Sequence, residues 1–139
     1  MVQLIVGKKG KGKTKILLEK VNKDVKEVSG RVVYLDKNSK HMYELNNKVR
    51  LVDVSAFPIT NKDAFLGFVC GILSRDTDIE QFYLDSFLKL ANLNENEIEE
   101  TVRELDRLSA EHKVTFILSV SMDSENIPDS LKDMVLVSL

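Results

Sequence analysis

The chain has a single cysteine, Cys70, no tryptophan and two isolated prolines, Pro58 and Pro128, in 139 residues. One thiol excludes an internal disulfide and any zinc knuckle built on several cysteines. No glycine-, proline- or serine-rich stretch interrupts the sequence as a linker would, and no internal repeat is visible. The longest apolar run, Ala64–Leu73, has 10 residues, too short to span a bilayer as a helix. Charge of one sign is also missing. Lys and Arg number 20 against 22 Asp and Glu, a net charge of −2, whereas binding to nucleic acid regardless of sequence, or to an acidic membrane, requires a basic excess. Glycine is scarce too, at six residues, yet three of the six lie within Gly7–Gly12.

The rest of the composition is that of an ordinary folded domain. Hydrophobic residues make up 43% and charged residues 30%, which argues against disorder. The apolar N-terminal run precedes the first charges and has no small-residue cleavage site after it, unlike a secretory leader. The expected address is the cytoplasm, and the expected organisation is one domain over residues 1–139.

Hydrophobic period divides the chain into alternating elements. Val2–Val6 reads as a buried strand ended by glycine. From Lys13 the period becomes helical, with Leu17, Val21, Val25 and Val28 on one side and Gly30 as the stop. Arg31–Leu35 is β-branched and aromatic, hence a strand. The polar stretch Asp36–Lys48 follows, with Met42 and Leu45 pinning a short helical turn or a hairpin. Val49–Val54 is a strand, and Asp63–Arg75, apolar nearly all round, is expected to be a buried helix with Cys70 in the core. The Gly67/Gly71 pair is expected to let that helix pack closely on the sheet. Gln81–Leu84 is a strand. Asn94 opens a helix with a capping box to Glu97, carrying the stripe Ile98, Val102, Leu105 and Leu108 to near Lys113. Val114–Val120 is a strand, Pro128–Asp133 a connector and Met134–Leu139 a last strand. Strands apolar on both faces, alternating with helices, predict an α/β fold with a mainly parallel sheet of five or six strands between helical layers.

The glycine cluster carries the chemistry. Gly7-Lys8-Lys9-Gly10-Lys11-Gly12-Lys13-Thr14 matches G-x-x-x-x-G-K-[ST] at every fixed position, and it sits between a strand and a helix. Wrapping a polyphosphate with backbone N–H groups needs glycine where a Cβ would collide with oxygen or where φ is positive. The following helix aims unpaired N–H groups and the positive end of its dipole at the same phosphates. The expected roles are Lys13 on the β and γ oxygens and the Thr14 hydroxyl on Mg²⁺. Lys8, Lys9, Lys11 and Lys15 add local charge, so a neutral chain presents a cationic cradle.

A P-loop enzyme also needs a carboxylate for the Mg²⁺ shell, commonly at the end of an apolar strand. Asp36, Asp53 and Asp85 each end one, at the strand edge where open α/β sheets bind ligands. Asp85 is preferred because a further helix and strand follow it. No D-x-x-G occurs, and Asn61-Lys62-Asp63 places its aspartate one residue early for N-K-x-D, so ATP rather than GTP is the expected ligand. His41 and His112 have no partner at metal-ligand spacing and read as surface residues.

The P-loop, the second strand ending in Asp36, the Phe82-Tyr83-Leu84-Asp85-Ser86 segment and the strand Thr115-Phe116-Ile117-Leu118-Ser119 resemble the RecA-like division of P-loop NTPases. His41-Met42-Tyr43-Glu44-Leu45 and Gly67-Phe68-Val69-Cys70-Gly71-Ile72 resemble small clostridial-type proteins labelled as ATP-binding or twitching-motility-type ATPases. The resemblance implies a three-layer α/β/α P-loop NTPase core, phosphate and Mg²⁺ contacts from Lys13 and Thr14, an outer Mg²⁺ role for Asp85, and a γ-phosphate sensor at Ser119 or Ser121. It also marks a departure. Many relatives carry glutamate directly after the carboxylate aspartate, where this chain has Ser86. RecA places a glutamate two residues past the strand-two aspartate, where this chain has Asn38. Glu44, Asp36, Asp53 and Glu80 are left as candidate bases. The expectation is a small Mg²⁺-dependent ATPase whose hydrolysis is slow or depends on a protein partner or a second copy. An ATP-binding switch without turnover comes second, and a small nucleotide or metabolite kinase third.

Overall fold

A computed structural model describes all residues, Met1–Leu139. The strands are β1 (Val2–Val6), β2 (Arg31–Asp36), β3 (Val49–Asp53), β4 (Ile79–Leu84), β5 (Thr115–Val120) and β6 (Val135–Ser138). The helices are α1 (Lys13–Asp24), α2 (Lys62–Arg75), α3 (Phe87–Leu90) and α4 (Ile98–His112). Short 3₁₀ turns fill the connections, among them Met42–Glu44, within the polar Asp36–Lys48 stretch. No helix is long and apolar enough to cross a membrane.

All six strands are parallel, in the order β3-β2-β4-β5-β1-β6. One strand, β5, therefore lies between the P-loop strand β1 and the Asp85 strand β4. The register aligns the carboxyl ends: Val6 faces Val120, Leu84 faces Leu118, and Asp36 faces Asp53. The glycine loop, the strand-end aspartates and the serines at the end of β5, Ser119 and Ser121, thus share one edge of the sheet. Parallel strands require crossovers, and the helices that make them cover both faces. On one face α1 packs Leu17, Leu18 and Val21 against Ile5, Tyr34, Tyr83 and Ile117. On the other, α2, α3 and α4 enclose the larger core, in which Phe65, Phe82, Phe87 and Phe116 are fully buried.

Local signals explain most boundaries. The Asn61 side chain accepts from the Ala64 N–H at 2.8 Å to start α2, and Asn94 and Glu97 form the capping box that leads into α4. Lys113, left-handed at φ 56°, ends α4. Two expectations change. Helix α1 ends at Asp24, and Val25–Val28 leave it through a turn before Gly30. Helix α2 is not buried all round: Phe65, Val69 and Leu73 face inward, while Gly67, Cys70 and Gly71 are exposed. A Cβ added at either glycine would meet nothing within 4 Å. The Gly67/Gly71 pair does not pack on the sheet, and Cys70 is not a core residue, because α2 lies over the β2–β3 side of the sheet with no further layer outside it. Its apolar composition exceeds what its one covered stripe needs.

Candidate functional site

The loop after β1 owes its shape to glycine. Gly10 and Gly12 have φ of 86° and 90°, the left-handed region that other L-residues enter only with strain. Gly12 is also the N-cap of α1 and offers no side-chain oxygen, and the first turn of that helix contains no acidic residue. The leading N–H groups therefore have no side-chain cap and no acidic residue within the helix's own first turn, a helix start able to hold an anion. Lys13 lies in this first turn with only 7% of its surface exposed. Its Nζ folds back to donate to the Lys8 carbonyl at 3.0 Å. Burial lowers the Lys13 pKa, and the nearby Asp85 carboxylate partly offsets that shift.

Asp85, directly after β4, is 2% exposed and collects donors from four parts of the chain. Its Oδ1 accepts from Thr14 Oγ1 at 3.1 Å, Ser119 Oγ at 2.7 Å and its neighbour Ser86 N–H at 2.9 Å. Its Oδ2 accepts from the Tyr34 hydroxyl at 3.2 Å. Burial and then the Asp85 charge push the Tyr34 pKa up, so Tyr34 remains a donor. The Ser86 N–H also reaches Ser119 Oγ at 2.7 Å, and Ser86 holds a left-handed backbone at φ 50°, which costs about 1–2 kcal/mol for a residue with a Cβ.

The other sequence candidates separate clearly. Asp36, the last residue of β2, is 2% exposed; its Oδ1 accepts from the Lys37 N–H at 2.7 Å, while Oδ2 has no hydrogen-bond partner. Burial and then the Asp85 charge raise its pKa. Asp53 accepts from the N–H and hydroxyl of Ser55 at 2.9 and 2.6 Å, capping its own turn. Glu80 accepts from Ser29 Oγ and Gly30 N–H at 2.9 and 2.7 Å, at the opposite end of the sheet from the glycine loop. Glu44 is exposed and faces His41, with Oε1 3.4 Å from Nδ1. His41 is not an isolated surface residue: a ring nitrogen of His41 and carboxylate oxygens of Asp36 and Asp85 lie within 4.8 Å of one another. No spacing signal could find this group, because its members come from two strand ends and a connection.

A cavity of about 460 Å³ opens above the loop, lined by Lys9, Gly10, Gly12, Lys13, Thr14, Lys37, Ser86, Leu88, Lys89, Ser119 and Ser121. Four lysines and no carboxylate line it. Lys37, Lys9 and Lys89 are close enough that the first two lower the pKa of the third by like-charge repulsion. Lys37 and Lys89 escaped the motif reading. Lys37 follows the strand-two aspartate, and Lys89 lies one helical turn past Ser86, yet neither belongs to the glycine loop. Lys8 points elsewhere, 3.5 Å from Asp123. Lys11, Lys15 and Glu44 are not among the lining residues.

No protein-family model matches the chain, and no curated protein matches it in sequence. Among solved structures, the fold is similar to the crystal structure of a KaiC-like protein from the hyperthermophilic archaeon Pyrococcus horikoshii. The TM-score is 0.62 at 18% identity, over 95% of this chain and 66% of that one. The chain thus spans about two thirds of the length of that protein. At this identity the likeness concerns the fold: a three-layer α/β/α P-loop core of the RecA-like type, here with six parallel strands.

Proposed function

We propose that residues 1–139 act as one nucleotide-binding domain that holds Mg²⁺·ATP at the Gly7–Thr14 loop and works as a small RecA-like ATPase with slow or partner-dependent turnover. The observation that carries this reading is the 3.1 Å bond from Thr14 Oγ1 to Asp85 Oδ1 at the floor of a cavity lined by four lysines. Gly10 and Gly12 leave room for phosphate oxygens, while Gly7, where a Cβ would meet Leu139 Cβ at 3.0 Å, allows close packing at the start of the loop; Lys9, Lys13, Lys37 and Lys89 supply the countercharge, and Lys8, Lys11 and Lys15 add to the field around the loop. The Thr14 hydroxyl oxygen would ligate Mg²⁺, with Asp85 accepting its hydrogen bond and orienting it from outside, an oxygen setting that suits a hard cation. When bound, Mg²⁺ neutralises charge on the β- and γ-phosphate oxygens. Ser119, bonded to Asp85 and lining the cavity, occupies the place of a γ-phosphate sensor.

Slow turnover follows from what the cavity wall is made of. No carboxylate lines it, and Ser86 stands where a water-activating glutamate is expected from the resemblance. Asp36 is buried and does not line the cavity, and Glu44 faces His41. A water-positioning group supplied by a protein partner or a second copy would complete the site. The same observation favours a second reading, an ATP-binding switch without turnover. The His41–Leu45 segment, which carries the resemblance to small clostridial-type ATP-binding proteins, adjoins Asp36 and Asp85, in keeping with a nucleotide role.

A phosphate-release assay on the full chain with saturating Mg²⁺·ATP separates the readings. Phosphate released above the uncatalysed rate supports the ATPase. Saturable ATP binding with no release supports the switch, and phosphate appearing only on an added acceptor supports a kinase.

A further inference from the structure

Asp36 presents a buried carboxylate oxygen, Oδ2, without a hydrogen-bond partner, while its Oδ1 accepts from the Lys37 N–H. Protein interiors leave few such atoms unpaired, and an orphan acceptor beside other ligating groups points to an ion or proton that completes it. The neighbours are of the right kind. A carboxylate oxygen of Asp36, one of Asp85 and a ring nitrogen of His41 converge within 4.8 Å of one another. Two adjacent carboxylates repel unless a positive charge lies between them. His41 is held at this place by the 3₁₀ turn Met42–Glu44, with its side chain 16% exposed. Its Nδ1 faces Glu44 Oε1 at 3.4 Å, the outer carboxylate pairing that metal-bound histidines commonly show. Glu44 on Nδ1 would favour the tautomer whose Nε2 lone pair is free to ligate an ion.

From this geometry we propose that Asp36, His41 and Asp85 form a binding site for a divalent transition-metal ion, filled without nucleotide and distinct from the Thr14–Asp85 pair. Two carboxylates and an imidazole make a mixed oxygen–nitrogen set, which suits Mn²⁺, Fe²⁺ or Zn²⁺ better than Mg²⁺, whose preferred ligands are all oxygen. The glycine loop takes no part in it, and Asp85 is the one residue common to both places. Through Asp85 the ion would bear directly on the residue assigned above to the Mg²⁺ shell, which gives the nucleotide site a second input.

The test uses the full chain, stripped with chelator, free of nucleotide, and titrated with Mn²⁺ while free ion is followed by electron paramagnetic resonance. The site predicts one Mn²⁺ per chain, bound at least about tenfold more tightly than competing Mg²⁺. Binding should weaken by about tenfold or more in His41→Ala and in Asp36→Asn, and stay unchanged in Asp53→Asn, whose carboxylate caps its own turn. Both variants should fold, since His41 is partly exposed and asparagine matches aspartate in shape. Mn²⁺ should raise the melting temperature of the wild type and not that of Asp36→Asn. No stoichiometric Mn²⁺ binding without nucleotide would overturn the site. Binding untouched by both substitutions would also overturn it. ATP affinity retained in His41→Ala keeps the nucleotide reading intact whichever way the metal result falls.

Discussion

Thr14 Oγ1 and Asp85 Oδ1 are joined at 3.1 Å across 71 residues of sequence. The sheet brings this about: β5 lies between β1 and β4, so the loop after one strand and the aspartate after the other meet over the end of a third. Ser119, the fifth residue of that intervening strand, completes the contact with its own 2.7 Å bond to the same oxygen. Three hydroxyls donate to this one side chain beside the loop, and the arrangement predicts how single substitutions act.

Asp85→Asn keeps the shape of the side chain and removes its charge. Phosphate release from Mg²⁺·ATP should fall by about 10–100-fold, the range for residues that orient a metal's immediate ligands, with a smaller effect on nucleotide affinity measured without Mg²⁺. Turnover unaffected by the substitution would move the metal role to another carboxylate.

Lys37 and Lys89 bring countercharge into the cavity from outside the glycine loop. Each charged hydrogen bond to phosphate contributes about 1.5–3 kcal/mol. Lys89→Ala and Lys37→Ala should therefore each weaken ATP by about tenfold or more, with a shallower dependence on salt than the wild type. Because Lys37 and Lys9 repel Lys89, the nucleotide-free Lys89→Ala variant should melt no lower than the wild type. Isothermal titration at two salt concentrations, with thermal melts, checks both statements.

Asp36 gives a pH signature in the metal-free chain. Its pKa in the folded state is raised above 3.8 by burial and by Asp85, so folding favours the protonated form. The stability this group contributes is complete below the ordinary value and is lost as pH rises through the raised one. Asp36→Asn removes that loss. In chelator, the variant should be more stable than the wild type at neutral pH, and the advantage should vanish below pH 3.8. Urea melts across this range measure it; an Asp36→Asn chain less stable at pH 7 would contradict the account.

The exposed glycines of α2 offer a test of packing. With nothing within 4 Å of an added Cβ, Gly71→Ala should stabilise by up to about 1 kcal/mol through helix propensity alone, whereas burying this face against the sheet would make alanine destabilising. Phe116→Ala, in the fully buried core, should cost about 3–5 kcal/mol. Denaturant midpoints decide between them.

The parts of the molecule readable from sequence were those set by local pattern. The glycine loop between a buried strand and an amphipathic helix is one such part, as are the Asn94–Glu97 capping box and the Ile98–Leu108 stripe, all of which have short-range causes. Asp85 was the preferred strand-end aspartate on the order of elements after it, and β5 does pass between it and the loop. What escaped depends on where elements lie in space. Lys37, Lys89, Tyr34 and His41 join the site through sheet order, not spacing. Helix α2 looked buried because composition records how apolar a helix is and not how many layers cover it. Cys70 followed the same error.

The central claim is that the Gly7–Thr14 loop holds the triphosphate of ATP, and calorimetric titration of Mg²⁺·ATP into the full chain and its Lys13→Ala variant tests it most directly. Lys13 lies buried in the first turn of α1, where its charge would meet the phosphates. The account predicts one saturable site in the wild type and an affinity at least about tenfold lower in Lys13→Ala, with the variant still folded. Equal ATP binding by the two chains, or none by the wild type, would contradict it.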